Sequence, residues 1–307
     1  MDELARRRSQ RRHAYGDLWF ISDPNHADPN STPISATNQV PVSLSSFRDA
    51  LRSGLVRGVG REATMTMATR TLNLDRREKG NGLFFTIMSA AIAATVLAGF
   101  SLNMKIRHLD FGALPMLVHL HAALFAVWLL VSVAQTSLVR AGAVGVHRRL
   151  GWAGAALAAT MVVVGMLTSV MAVKRGAVPF FWTNSTFLVL NIVELIAFAG
   201  LVVAAVAMRR RAVWHRRLML CATIMIAAGG VGRLMPLPLL GPWAPIGILF
   251  GLLVFVAIGM LVDVRNTQRI HPAYLWGAGV ICAAQILIVP MASTAPVLWI
   301  TAQMARP

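Results

Sequence analysis

From residue 83 onward the chain is a succession of apolar runs of about 20 residues or more, separated by short polar gaps. A helix rises about 1.5 Å per residue, so each run is long enough to cross the roughly 30 Å hydrocarbon core of a bilayer. Seven runs qualify, at 83–103, 113–138, 149–173, 180–208, 215–235, 243–264 and 273–298. Pro236, Pro238, Pro242 and Pro245 bracket the fifth gap, and Pro272 precedes the last run. Short segments of period-two alternation, the mark of a transmembrane β-barrel, are absent. The pattern therefore predicts an all-α polytopic membrane bundle of about seven transmembrane helices over residues 83–307, with connections too short for another domain.

Residues 1–82 show no such periodicity. They mix Arg, Ser, Asn, Pro and Asp, with a basic stretch at 6–12 and a polar one at 23–39, and read as a mostly disordered basic arm on the cytoplasmic side. Translation starting at Met65 or Met67 is the alternative, and would remove most of that arm. No apolar run follows the early arginines, so neither a cleaved nor a twin-arginine signal is present and the first run reads as a signal anchor. Few aromatic residues interleave the basic ones, and no nucleic-acid partner is expected.

Composition narrows the class. Of 307 residues, 56% are hydrophobic and 13% charged, about half the charged share of soluble domains, which excludes an ordinary soluble enzyme. The net charge of +17 is distributed by topology. Beyond residue 82 the acids are Asp110, Glu194 and Asp263 alone. One alternating set of gaps carries Arg70, Arg76, Arg77, Lys79, Arg140, Arg148, Arg149, Arg209, Arg210, Arg211, Arg216, Arg217, Arg265 and Arg269; the other carries Lys105, Arg107, Lys174, Arg175 and Arg306. This asymmetry predicts a multi-pass membrane protein with its N-terminus cytoplasmic and its C-terminus outside. Arg233, near the outer end of the fifth run, stands apart from both sets. Cys221 and Cys282 lie inside apolar runs and offer no disulfide framework.

A few polar groups interrupt the runs. His119 and His121 sit about 200° apart around one helix and cannot grip the same metal. His121 is the better candidate, because Trp128, Ser132 and Gln135 extend its stripe, which should face the bundle interior. In the fourth run Asn184, Asn191 and Glu194 share one side, and Glu194 is the sole acid deep in any run. Proton relay, cation binding and neutral hydrogen-bond donation are all open to it. Gln285 lies at similar depth as a candidate partner, while Asp263 is expected to pair with an arginine such as Arg265. His147-Arg148-Arg149-Leu150 and His215-Arg216-Arg217-Leu218 form a weak parallel repeat at the starts of the third and fifth runs, with His271 in a comparable place before the seventh. Their arginines suit helix-end anchoring, and the three histidines could instead converge on a metal or haem. Gly229-Gly230-x-Gly232 comes late in an apolar run and reads as close helix packing, not as a phosphate loop. No Ser-His-Asp set, HExxH or acidic metal motif supports a hydrolase or transferase.

The stretch from Leu83-Phe84-Phe85 to Gly99-Phe100, His119-x-His121 with Trp128 and Gln135, the two His-Arg-Arg-Leu motifs, and His271-Pro272-Ala273-x-Leu275-Trp276-Gly277 together resemble a largely uncharacterised group of bacterial seven-helix inner-membrane proteins. The resemblance covers roughly residues 83–290. More distantly, the helix-initial His-Arg pattern is similar to haem-handling membrane proteins, including cytochrome oxidase assembly factors and haem A synthase. That likeness implies a haem- or metal-binding redox or cofactor-handling protein, with His121 or His119 as first ligand and His147, His215 and His271 as further candidates. The chain departs from that pattern in having no histidine on another run level with His121. Two further functions stay open. One is a small-solute or proton-coupled transporter using His121, Glu194 and Gln285, with Arg233 drawing an anion to the outer mouth. The other is a non-catalytic subunit that binds a membrane-complex partner.

Overall fold

The computed structural model describes residues 82–106, 108 and 110–306, with Phe111 by its backbone only. All of them fall in the unit that runs from Met67 to Pro307. The basic arm, Met65 and Met67 lie outside the described residues, as does Arg107.

Among the described residues helices are the only regular structure. They are α1 (Gly82–Ile106), α2 (Met116–Arg140), α3 (Val144–Lys174), α4 (Asn184–Ala207), α5 (Ala212–Ile226), α6 (Ala228–Leu234), the single turn α7 (Leu237–Leu240), α8 (Ala244–Thr267), α9 (Pro272–Ala292) and α10 (Ala295–Met304). Six of these, α7 and α8 counted together, are long and apolar enough to cross a membrane, and the bent pair α5 and α6 brings the number to seven when it is counted as one broken span. The chain is an integral, multi-pass membrane protein whose apolar outer faces contact lipid. Leu130, Val163, Val203 and Phe250 point outward from four different helices, as a bilayer requires and water would penalise.

The expected spans match the helices within a few residues, with two differences. α3 starts at Val144, five residues before the predicted run, so His147 lies inside its first turn. The seventh span stops at Ala292, and a break at Ser293 and Thr294 sets off α10. Ten residues rise only about 15 Å, so α10 cannot cross the core; it packs against α3 and α4.

α4 is the hub of the bundle, packed by α3, α5, α9 and α10. α9 in turn packs on α4, α5 and α8. Small residues set the closest approaches. A Cβ on Gly99 would collide with the Gly230 carbonyl, and one on Gly230 with the Val96 backbone, so α1 and α6 touch backbone to backbone. The glycine cluster therefore serves helix packing, as its position in the run suggested. It also sits where the span breaks: α5 and α6 meet at 46°, beside a glycine pair that weakens helical continuity.

Candidate functional site

Antiparallel connections decide which groups share a level. α2, α4 and α8 run toward the arginine-rich connections, whereas α3, α5 with α6, and α9 run away from them. Glu194 and Gln285 accordingly meet in the middle of the bundle. The Gln285 amide nitrogen donates to Glu194 Oε1 at 2.7 Å. Gln285 is fully buried and Glu194 is 9% exposed, so this pair joins α4 to α9 away from water. The Gln285 amide oxygen is buried and makes no hydrogen bond.

Arg233 and His121 lie toward the end of the bundle opposite the arginine-rich connections. The Arg233 guanidinium sits 3.9 Å over the Phe100 ring and donates to the Gly229 carbonyl at 2.6 Å. It is within electrostatic reach of both Glu194 and His121. His121 stacks on Phe125 at 4.2 Å between ring centres, and its buried Nδ1 makes no hydrogen bond. His119 faces another way, its Nδ1 3.1 Å from the Pro115 carbonyl.

The rest of the polar stripe on α2 is spread over three neighbours. Trp128 is 1% exposed and meets Phe198 of α4 edge to face at 5.0 Å. Ser132 lies 3.5 Å from Thr223 of α5. Gln135 stands beside Gly151 and His147 of α3, with its buried amide oxygen unbonded. Trp128 thus faces the interior as expected, but the stripe does not form one site. Asn191 turns back on its own helix, donating to the Phe187 carbonyl at 2.7 Å.

The two His-Arg-Arg-Leu motifs come together. The His147 and His215 rings stand 6.3 Å apart, nearly perpendicular at 82°. His215 Nδ1 is 2.8 Å from the Ala205 carbonyl, which only accepts, so Nδ1 donates there and Nε2 is the ring nitrogen left for another partner. His271 does not join them. It packs on Trp214 at 5.1 Å and caps α9, its Nδ1 accepting from the Ala273 N–H at 3.1 Å. Burial, and then the guanidinium of Arg217, hold its imidazole below the ordinary histidine value, against the opposite pull of Asp263. Among the described residues no three His, Cys, Asp or Glu side chains group as a metal site.

The expected partner of Asp263 is corrected. Asp263 binds Arg217 through both carboxylate oxygens, with Arg217 Nε donating to Oδ2 at 2.9 Å and Nη2 to Oδ1. Its Oδ2 also accepts the His271 backbone N–H at 3.2 Å. Arg265 follows Asp263 by two positions on one helix and so projects to the far side, where it is exposed. Arg217 shares the buried face of α5 with Cys221 and Ile224, at i+4 and i+7. That spacing was the available sign that the second arginine of this motif turns inward while its counterpart Arg149 stays exposed.

The chain matches no protein-family model, no curated protein and no solved structure.

Proposed function

We propose that this protein is a proton-coupled permease for a small anionic solute in the bacterial inner membrane, with the arginine-rich face cytoplasmic. The observation that carries the reading is the buried Glu194–Gln285 hydrogen bond with Arg233 of the broken span in electrostatic reach. A carboxyl group inside a bilayer is costly, which favours a functional reason for its presence. An amide is a partner for both of its protonation states. Its N–H₂ donates to the carboxylate, and its oxygen, here without a bond, can accept from the acid. Arg233 near the end of a discontinuous span supplies the positive charge that an anion would seek, and broken helices line substrate sites in many transporters. Moving one proton on Glu194 with one anion past Arg233 keeps the charge balance of the core.

The test is anion-driven proton flux in proteoliposomes loaded with a pH-sensitive dye, using chloride, phosphate and small dicarboxylates. Wild type is expected to acidify the lumen with at least one of them. Glu194→Gln, which keeps a hydrogen-bonding side chain, is expected to fall to the level of empty vesicles. Wild type without flux, or Glu194→Gln matching it, overturns the reading.

A second reading, haem or metal handling, is favoured by the His147–His215 pair. These two rings, 6.3 Å apart, are the side chains that would hold such a group, and imidazole suits both iron and zinc. The proton on His215 Nδ1, held by a backbone carbonyl, leaves Nε2 suited to ligation. An absorption spectrum with metal analysis, on protein from cells supplied with iron and a haem precursor, tests it. A stoichiometric Soret band lost in His215→Ala supports cofactor handling, and a colourless, metal-free, folded preparation sinks it. Co-purification of a larger membrane complex would instead favour an assembly subunit.

A further inference from the structure

The His147–His215 contact has a consequence for the surface around it. By bringing the first turns of α3 and α5 together, it gathers two basic connections into one patch. Arg148 and Arg149 come from one, Arg209, Arg210 and Arg211 from the other, and all five are exposed. The patch is braced from both sides, for Arg209 of the α4–α5 connection lies over the Trp152 ring of α3 at 6.0 Å. No carboxylate among the described residues offsets it. Asp110 belongs to the connection at the other end, Glu194 is in mid-bundle, and Asp263 is taken by Arg217.

The rim of the patch is apolar. Trp152 is 65% exposed, and Val144, Val146 and Val213 are exposed among the arginines. From Trp152 this border continues down the lipid-facing side of α3 through Val163 and Leu167, whereas α5 is covered by its neighbours beyond Val213. Positive charge with a membrane-facing apolar border matches an amphiphile that carries phosphate and acyl chains together. A soluble phosphate would gain nothing from the tryptophan and the valines. Guanidinium forks bind phosphate oxygens in pairs, and two separate arginine clusters suit a headgroup with two phosphates.

We infer that the face formed by Arg148, Arg149 and Arg209–Arg211 is a binding site for anionic phospholipid, with its acyl chains along Trp152 and, further down α3, Val163. The site is independent of the permease chemistry, since none of its residues contacts Glu194, Gln285 or Arg233.

The experiment uses the full chain in mild detergent and follows its melting temperature and bound lipid by native mass spectrometry. The lipids are cardiolipin, phosphatidylglycerol and zwitterionic phosphatidylethanolamine, with inorganic phosphate and pyrophosphate as soluble controls. Cardiolipin is expected to bind tightest and phosphatidylglycerol next, with binding that weakens as salt rises. The exposed variant Arg148→Gln/Arg149→Gln/Arg210→Gln/Arg211→Gln is expected to melt as wild type without lipid and to bind cardiolipin at least tenfold more weakly. Lys174→Gln/Arg175→Gln, at the other end of α3, is expected to bind as wild type. Equal binding of phosphatidylethanolamine, an unaffected quadruple variant, or pyrophosphate protecting as well as cardiolipin would each overturn the inference. Should the quadruple variant fail to fold, the lipid order and salt dependence of wild type decide alone.

Discussion

Gln285 shows how strongly one side chain can constrain a buried acid. Among the described residues its amide is the one hydrogen-bond partner of the Glu194 carboxyl, with both residues out of water. Leaving one polar partner buried and unsatisfied costs about 1–3 kcal/mol, whereas removing both can be nearly neutral. Gln285→Leu is therefore expected to lower the melting temperature in detergent, and Gln285→Leu/Glu194→Leu to recover most of the loss; equal losses in the single and double variants would refute the pairing. His271 makes a second residue-scale prediction. Its imidazole is held below the ordinary value by burial and by Arg217, with Arg216 adding and Asp263 opposing. The folded state thus favours the neutral ring, whose Nδ1 lone pair caps α9. This contribution is present above about pH 6.5, the value in an unfolded chain, and is lost as pH falls through the lower folded value. Wild type should lose thermal stability as the medium is acidified below about pH 6.5, and His271→Asn, which can still cap but does not titrate there, should lose less.

At the scale of elements, the Arg217–Asp263 pair ties α5 to α8, and the His271 N–H bound to the same carboxylate ties in the start of α9. Both charged side chains are less than one tenth exposed. Removing one partner of a buried pair leaves the other charge uncompensated, at a cost of about 3–5 kcal/mol, while an apolar pair of similar volume is often tolerated. Asp263→Leu is expected to melt far below wild type. Arg217→Met/Asp263→Leu should regain most of the difference, read by thermal melting and by protease resistance of the α8–α9 connection. A double variant no better than the single one would show that the ion pair is not what joins these helices. The same elements show why the boundaries of the seventh span were misread. Apolar residues resume directly after Ser293 and Thr294, so hydropathy alone ran past the break that sets off α10; the available sign was Thr294 as N-cap with Pro296 in the first turn.

At the scale of the whole molecule, the antiparallel helices gather the α2–α3, α4–α5 and α8–α9 connections at one end of the bundle, and the proposed orientation puts that arginine-rich end inside. Single cysteines introduced at Ala141, Arg210 and Gln268 in a background free of Cys221 and Cys282 should react with a membrane-impermeant maleimide only after the cells are opened. Cysteines at Ala177 and Leu239 should react in intact spheroplasts. The reverse pattern would invert the orientation.

The all-helical class, the places of the apolar spans and the level of Glu194 and Gln285 were legible in the chain, because a bilayer forces each crossing to declare itself as a run of apolar residues. Depth follows from counting along such a run. Azimuth does not, since lipid is as apolar as the core and leaves each helix without a strong inside and outside. For that reason only the tertiary structure decided that Arg217, not Arg265, meets Asp263, that His147 finds His215 while His271 turns to Trp214, and that the stripe of α2 serves three neighbours. It also decided where α6 bends toward α1, for backbone contact between Gly99 and Gly230 is a property of two helices at once.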